Sequence, residues 1–402
     1  MIVQRTFLGG RRWTGPWRIR VDTMAGGTSN RTMTNYMNSG FSNNPILTDW
    51  GDGTRTVAKS VASHTYASDG DYIISHYSLD DFATAILLGG NHKNIVEVLD
   101  PFPRLPSVGG SFPWFATIFS GDSYLQTIPS NLFDSNADFI TTLGNTFSSI
   151  QGGPLHLPAG LFKRLFKLSD ISGTFYNSVL DHIPDGLFEG MTTIEDAQNT
   201  FENTKASYCG NRIFAGCTGL TSVTHCFFKA NIPVFGDDTF NGCAKISSSN
   251  SYTFEGLRYT KSVGARTFAN CTGITSCGYN FDYLSNDASP ELESIGDYTW
   301  QNCTALERTS YFLSNAPKLK TLPSHTFSGC TKLKSIDSLF YSGGSALGAM
   351  DLYLESCPNF INSSAFKTVP DMTATTQRII HVPSGCTITS RFPDKYTVVA
   401  DN

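Results

Sequence analysis

GNRIFAGCTGL at residues 210–220 is followed by FGDDTFNGCAKI at 235–246, VGARTFANCTGI at 263–274, IGDYTWQNCTAL at 295–306 and LPSHTFSGCTKL at 322–333. Upstream, IPSNLFDSNADFI (128–140), LPAGLFKRLFKL (157–168) and IPDGLFEGMTTI (183–194) carry the same phrase without its cysteine, and DLYLESCPNF (351–360) closes the series. Anchored on Phe133, Phe162, Phe188, Phe214, Phe240, Phe268, Trp300, Phe327 and Leu354, the copies are spaced by 29, 26, 26, 26, 28, 32, 27 and 27 residues. A unit of this size is too small to bury its own apolar face, so the copies must stack, and a fixed period near ~27 residues predicts a solenoid of about nine coils.

Two further registers run in phase with the anchor. Three residues after it stand Asn136, Leu165, Met191, Cys217, Cys243, Cys271, Cys303, Cys330 and Cys357, so six of the ten cysteines share one repeat position. About half a period later a second aromatic recurs, at Phe147, Phe175, Phe201, Phe228, Phe254, Phe281, Phe312 and Phe340, often within NTFSS, GTFYN or NTFEN. Two aromatic corners per coil predict a continuous ring stack inside, with coils about 4.8 Å apart if they pair through short strands. There is no C-x-x-C pair, so the stacked cysteines are read as small buried thiols in a packing role, ahead of disulfides or metal ligands.

The phrase of an apolar residue, Pro or Gly, two variable residues, Thr or Leu, Phe and then x-G-C-x-x-L resembles the leucine-rich repeats of the BspA-like class. That resemblance covers roughly 240 residues and implies a repeat solenoid of the kind found in bacterial surface and adhesive proteins and in phage-encoded proteins. The first three copies depart from it in lacking Cys, and the 28- and 32-residue units carry insertions where a binding surface could have been added.

Residues 1–103 read as a separate β domain. RWTGPWRIRVDT alternates as a half-buried strand does, and residues 25–44, rich in Gly and Asn, read as a loop. Trp50, Gly51, Asp52, Gly53 and Thr54, then His64, Thr65 and Tyr66, then Gly70 and Tyr72 resemble the PKD-type immunoglobulin-like sandwich. Asp-Gly makes a tight hairpin turn, Trp50 and Tyr72 are expected in the core, and His64 and Tyr66 are expected to pin the loop by hydrogen bonds. Asp49 and Asp52 could instead converge on calcium, but two carboxylates are too few for such a site.

Pro101, Pro103, Pro106 and Pro113 give residues 104–113 the character of a junction, with the solenoid over 114–376 and its first coil starting near Trp114. The N-terminal domain or the Trp114-Phe115 segment is placed to cover the first coil. At the other end RIIHV and YTVVA flank a Gly- and Pro-containing turn, so residues 377–402 read as a terminal strand pair forming a β cap. The expected fold is therefore mainly β: an N-terminal β-sandwich, a leucine-rich-repeat solenoid and a C-terminal strand cap.

Charged residues make up only 16% and the net charge is −5 without a basic block, which argues against nucleic acid. No apolar run is long enough to span a membrane, and MIVQRTFLGGRRWTGPWRIRVDT lacks the apolar core of a signal peptide. No P-loop, nucleophile elbow or zincin motif occurs, and no catalytic, cofactor-binding or metal-binding residue is assigned. Asp80-Asp81 and Asp237-Asp238 read as solvated loop charges. Asn270 and Asn302, although followed by Cys-Thr, read as turn residues and not as glycan acceptors. Tyr259, Tyr279, Tyr283 and Tyr311, in the longer units, are the candidate binding residues, since surface aromatics stack on sugars or fill a partner's pocket.

These features point to a non-enzymatic phage virion protein, associated with a tail or fibre, whose repeats bind a host-surface glycan or protein and whose N-terminal domain meets other virion proteins. A bacterial cell-surface adhesin is the second reading and a carbohydrate-active enzyme the third. Oligomeric state is open, fibres commonly being homo-trimers by symmetry.

Overall fold

The computed structural model describes residues 14–37, 45–59, 61–78, 86–87, 94–104, 115–121, 124–247, 252–277, 291–309, 313, 316, 318–336, 350–354, 356–360, 378–384 and 397–400. The chain divides into two compact units, residues 1–168 with 174–181 and residues 169–173 with 182–402. Among the described residues there is no α-helix, and none is long and apolar enough to cross a membrane.

In the first unit eight strands precede the repeats: β1 (Thr14–Asp22), β2 (Thr32–Met37), β3 (Ile46–Asp49), β4 (Arg55–Ala58), β5 (Val61–Thr65), β6 (Asp71–Ser78), β7 (Ile86–Leu87) and β8 (Ile95–Val98). They form two antiparallel sheets, ordered β4-β3-β6-β1-β8 and β5-β2-β7. On β1 the alternation reads directly: Trp17, Ile19 and Val21 are buried, while Arg18 and Arg20 face out and pair with Asp100 and Glu97. β2 corrects the loop expected over residues 25–44. Its run TMTNYM buries Met33 and aligns Thr32 and Thr34 with the hydroxyls of Thr65 and Ser63, a strand alternation hidden among Gly and Asn neighbours.

The WGDGT turn joins β3 to β4, with Gly51 and Gly53 at φ of 84° and 90°. An added Cβ at Gly51 would lie 2.6 Å from the Ile73 carbonyl oxygen, so that position excludes a side chain twice over. Asp52 accepts from Thr54 N–H (3.0 Å) and Thr54 Oγ1 (2.6 Å), and its other oxygen lies 2.7 Å from His64 Nε2. Asp49 accepts from Gly51 N–H (3.1 Å) and Arg55 Nε (2.8 Å), so all four carboxylate oxygens of the turn are engaged by protein donors. Burial pushes the Asp52 carboxyl upward, but the bonds from Thr54 and His64 outweigh it and hold the group below the usual carboxylate range. Trp50 is buried as expected, stacked on His64, and accepts the Tyr66 hydroxyl on its carbonyl at 2.9 Å. The fully buried tyrosine is Tyr66, not Tyr72, which is half-buried and lies over Tyr66 at 3.8 Å, its hydroxyl donating to the Ser68 carbonyl.

β8 is shared between sheet and repeats. One edge pairs with β1, while Val98 N–H donates to Thr127 (2.9 Å) and Gln126 N–H to Val96 (2.9 Å), with a parallel bridge from Glu97 to Thr127. Phe102 takes the place beneath the Phe133 anchor (5.8 Å) and stacks on Trp17 at 5.6 Å. The end of the first coil is thus covered by the N-terminal sheet itself.

From here the repeats follow one rule. Parallel bridges join each to the next, as Thr127 to His156 and Leu155 to Leu180 in the first unit and Asp170 to Asp196 to Ser222 in the second. The coils are built from turns more than from strands, the short exceptions being β9 (Ser262–Val263) and β10 (Ser294–Ile295), which run parallel. At most corners a buried aromatic is flanked two residues before and two after by left-handed backbone. Asn199 and Asn203 do this around Phe201, Asp238 and Gly242 around Phe240, and Arg266 and Asn270 around Phe268. Gly and Asn tolerate that conformation best, which is why NTFEN and DTFNG look alike. A buried Thr before the ring returns its hydroxyl to the carbonyl three residues back, as Thr200 to Ala197 (2.8 Å) and Thr267 to Gly264 (2.8 Å).

The anchor rings stack at 5.3, 5.0, 5.4 and 4.4 Å from Phe188 through Phe214, Phe240 and Phe268 to Trp300. A second stack runs through Phe119, Phe147 and Phe175 in the first unit and through Phe201, Phe227 and Phe254 in the second. Here the sequence reading needs correction: Phe227 is the buried ring, while Phe228 is half-exposed against His225. Cys226 holds the place that Thr takes in neighbouring corners, so the ring directly after it turns inward. Phe281, Phe312 and Phe340 lie outside the described residues.

At the C-terminal end β11 (Met350–Tyr353), β12 (Arg378–Val382) and β13 (Thr397–Ala400) form a parallel sheet. The two last strands therefore prolong the parallel ladder instead of folding back as the expected turn-linked pair. The stretch between Val382 and Thr397 is long enough to return the chain to its starting side, which parallel pairing requires.

Two outcomes test this packing. Phe227→Ala is expected to lower unfolding free energy by about 3–5 kcal/mol, whereas Phe228→Ala costs under ~1 kcal/mol; paired urea melts read the difference. His76, stacked on Trp17 and 3.3 Å from Thr48 Oγ1, is driven by burial from its ordinary value of 6.5 to about 3. The unfolded chain takes up that proton below 6.5 and the folded one does not, so this stability is complete above pH 6.5. It is lost at about 1.4 kcal/mol per pH unit as pH falls toward 3. In urea titrations His76→Gln is expected to lack that share of the slope.

Candidate ligand-binding surface

The repeat interior is closed to chemistry. All nine described cysteines are unpaired with one another and buried. In the shared register each S–H donates to the carbonyl of the anchor one coil back: Cys217 to Phe188 (3.0 Å), Cys243 to Phe214 (3.0 Å), Cys271 to Phe240 (3.1 Å), Cys303 to Phe268 (3.1 Å), Cys330 to Trp300 (3.0 Å) and Cys357 to Phe327 (3.4 Å). Burial raises the Cys217 and Cys303 thiols to about 12 and Cys243, Cys271 and Cys330 well above their ordinary value. A thiol held protonated in this way is neither nucleophile nor metal ligand.

From Phe214 to Phe327 the side chain two residues before the anchor varies and reaches solvent. Down the second unit this column reads Arg212, Asp238, Arg266, Tyr298 and His325. Its earlier members are locked in charge pairs: Arg266 holds Asp238 through Nε–Oδ1 (2.7 Å) and Nη2–Oδ2 (2.8 Å), and Arg212 pairs with Glu189. Asp238 is thus a half-buried partner in a two-pronged pair, not the freely solvated loop charge expected from its sequence; Asp80 and Asp81 lie outside the described residues.

The last two members, Tyr298 and His325, continue into Tyr353, one residue before Leu354, and His381 on β12 to form an outer aromatic ladder. Tyr298 and His325 stack at 5.1 Å and 20°, His325 and Tyr353 at 5.4 Å and 5°, and Tyr353 and His381 at 4.1 Å and 3°. β11 and β12 set the last step, since Tyr353 and His381 are register partners. Two carboxylates flank the rings. Asp297 accepts from the backbone N–H of Tyr298 (2.8 Å) and His325 (3.1 Å), with its second oxygen 3.4 Å from His325 Nδ1. Asp351 meets His381 Nε2 at 2.8 Å and the Tyr353 hydroxyl at 3.3 Å. Among the described residues neither carboxylate pairs with a lysine or arginine. The His325 side chain is 40% exposed and that of Asp351 50%.

Of the tyrosines singled out from the sequence, Tyr259 is 55% exposed and stacks on no ring among the described residues, whereas Tyr279, Tyr283 and Tyr311 lie outside them. The ladder was missed because insertions drew attention to the longer units. Part of its signal is the aligned column, where Tyr298 and His325 replace Arg and Asp; Tyr353 lies one residue out of that column and His381 on the strand after the last repeat. Asn270 and Asn302 are turn residues as read, at φ of 60° and 57°, and their amides form a ladder: Asn270 Nδ2 donates to Asn241 Oδ1 (2.8 Å) and Asn302 Nδ2 to Asn270 Oδ1 (3.0 Å).

Residues 155–285 and 250–373 match the BspA type leucine rich repeat region, in six copies. The chain belongs to the BspA-type leucine-rich repeat family. Among solved structures it is similar to a Treponema pallidum leucine-rich repeat protein, 13% identical over 60% of this chain and 77% of that one, with a TM-score of 0.26. A leucine-rich repeat protein of Bacteroides ovatus is 14% identical over 90% and 100% of the two chains, with a TM-score of 0.26. One of Eubacterium ventriosum is 14% identical over 86% and 92%, with a TM-score of 0.22. At these scores the likeness carries no argument about the path of the chain. No curated protein matches the sequence.

The buried thiols give a direct check. In the native protein a small aromatic disulfide reagent is expected to label none of the nine described cysteines, leaving only Cys386 outside them, and to label all ten in guanidinium.

Proposed function

We propose that the protein is a non-enzymatic adhesion protein whose leucine-rich-repeat solenoid binds a host-surface glycan or protein. One observation carries this reading: the residues that recur from coil to coil are buried, and the exposed positions are those that vary. A rigid repeated interior with a freely variable exterior is the division of labour of a binding scaffold. BspA-type repeats are typical of surface proteins and of binding rather than catalysis. Tyr259, Tyr279, Tyr283 and Tyr311 stay proposed contacts in the longer units.

Within that reading we place the chain on a phage particle, at a tail or fibre. Its N-terminal sheets are then a PKD-type immunoglobulin-like sandwich (1–103) facing other virion proteins, joined through 104–113 to the solenoid (114–376) and the end strands (377–402). The nine buried, reduced thiols support a chain that folds in a reducing interior, as particle proteins do before assembly. A bacterial cell-surface adhesin shares the repeat architecture and is the second reading.

Gold-labelled antibody to the protein, imaged by negative stain on purified phage and on bacteria, tests this. Label on tails or fibres is the expected result. Label on cell envelopes alone moves the protein to the second reading, and cytoplasmic label alone ends both. Incubation with host glycans is expected to yield binding without turnover; released product would make the protein an enzyme.

A further inference from the structure

The outer ladder has a period, a polarity and a charge, and together they describe a ligand. Its rings cover one another's faces and are half-buried, His381 at 16% side-chain exposure, so their edges line the surface beside the Asp297 and Asp351 carboxylates. Polar groups therefore recur along the surface at ring steps of 5.1, 5.4 and 4.1 Å. A peptide strand laid along the ladder repeats its same-face side chains only every ~6.7 Å, and would fall out of step within two or three rungs. An extended polysaccharide advances by nearly one coil per pyranose ring, so each sugar would meet an equivalent edge. Carboxylates suit such a ligand because one carboxylate accepts from two neighbouring sugar hydroxyls. Two carboxylates with no pairing lysine or arginine among the described residues also set the charge, disfavouring sulfated or uronic glycans.

We propose that Tyr298, His325, Tyr353 and His381, with Asp297 and Asp351, bind a neutral extended glycan along the coils, one sugar per rung. This deepens the adhesion reading and rests on it.

The test is titration calorimetry of the full chain with unsubstituted β-1,4-linked glucose and N-acetylglucosamine oligomers of one to six units, and with a sulfated hexamer. For at least one of the two neutral series, affinity is expected to be absent for the monosaccharide, to tighten with each added unit to about four, and then to level off. Tyr353→Ala and His381→Ala are expected to weaken the hexamer at least about tenfold, the loss typical of a stacked or central contact, and Phe166→Ala, an exposed ring outside the ladder, to leave it unchanged. Tyr353→Phe and Asp351→Asn keep the stack while removing a polar group, so a loss there at unchanged thermal midpoint excludes misfolding as its cause. Absence of binding by both neutral series, affinity independent of length, tighter binding of the sulfated hexamer or unaltered binding by all four ladder variants overturns the proposal. If the wild type binds host cells and the ladder variants bind them equally, the ladder fails and the adhesion reading stands. If the wild type binds no cell surface, the adhesion reading fails.

Discussion

Coil-to-coil closeness at the corners governs the repeats. At the anchor corner, N–H groups of one coil donate to carbonyls of the next at about 2.8 Å, as Arg212 to Asp237, Phe214 to Thr239 and Gly216 to Asn241, then Asp238 to Ala265, Phe240 to Thr267 and Gly242 to Ala269. Where the chain enters this corner there is no room for a side chain. A Cβ on Gly236 would lie 2.6 Å from the Gly210 carbonyl carbon, one on Gly264 2.3 Å from that of Gly236, and one on Gly296 2.2 Å from Ala265 N. The recurring apolar-Gly pair of the sequence is the mark of that approach. Once the backbones are this close, rings one coil apart have to stack, and the two ring columns meet edge to face, as Phe227 does with Phe214 and Phe240.

The same closeness explains why the register three residues after the anchor prefers cysteine. The site is fully buried, admits a small side chain, and faces a carbonyl with a free lone pair, which a weak S–H donor can use without the desolvation cost of a hydroxyl. Asn136, at the corresponding place in the first copy, solves the same problem by donating to the Pro103 carbonyl at 3.0 Å. Leu165, fully buried at the same place in the second copy, shows that an apolar side chain without a donor also serves, while Met191 in the third is only half-buried.

Much of this was legible because repetition averages away local ambiguity. Anchors, thiols and Gly/Pro entries recur often enough to be read as columns, and each column has one physical reason. Phe227, not its neighbour Phe228, keeps the spacing of the rings: Phe162, Phe175, Phe188, Phe201, Phe214, Phe227 and Phe240 follow one another at intervals of 13 residues. That half-period is the length of one corner, and the two corners of a coil are variations on a single motif. β2 was lost because Gly and Asn outweighed a six-residue alternation, and the direction of β12 and β13 because periodicity alone does not fix strand polarity. The Tyr and His ladder was hidden for a different reason. It is made by departures from the repeat, and pattern reading suppresses departures until the column that holds them is known to face outward.

The amide ladder at Asn270 and Asn302 bears on how this chain can be made. Both positions satisfy the Asn-x-Thr acceptor rule, and a eukaryotic secretory cell attaches its oligosaccharide to the nascent chain before the fold closes. Both side chains are exposed, and each Nδ2 spends one hydrogen on the preceding asparagine, so a sugar could replace only the other hydrogen and would stand beside the amide ladder. Production through the endoplasmic reticulum would therefore hold each amide to a single hydrogen and fix its rotamer beside a glycan, whereas the bacterial cytosol leaves these amides bare.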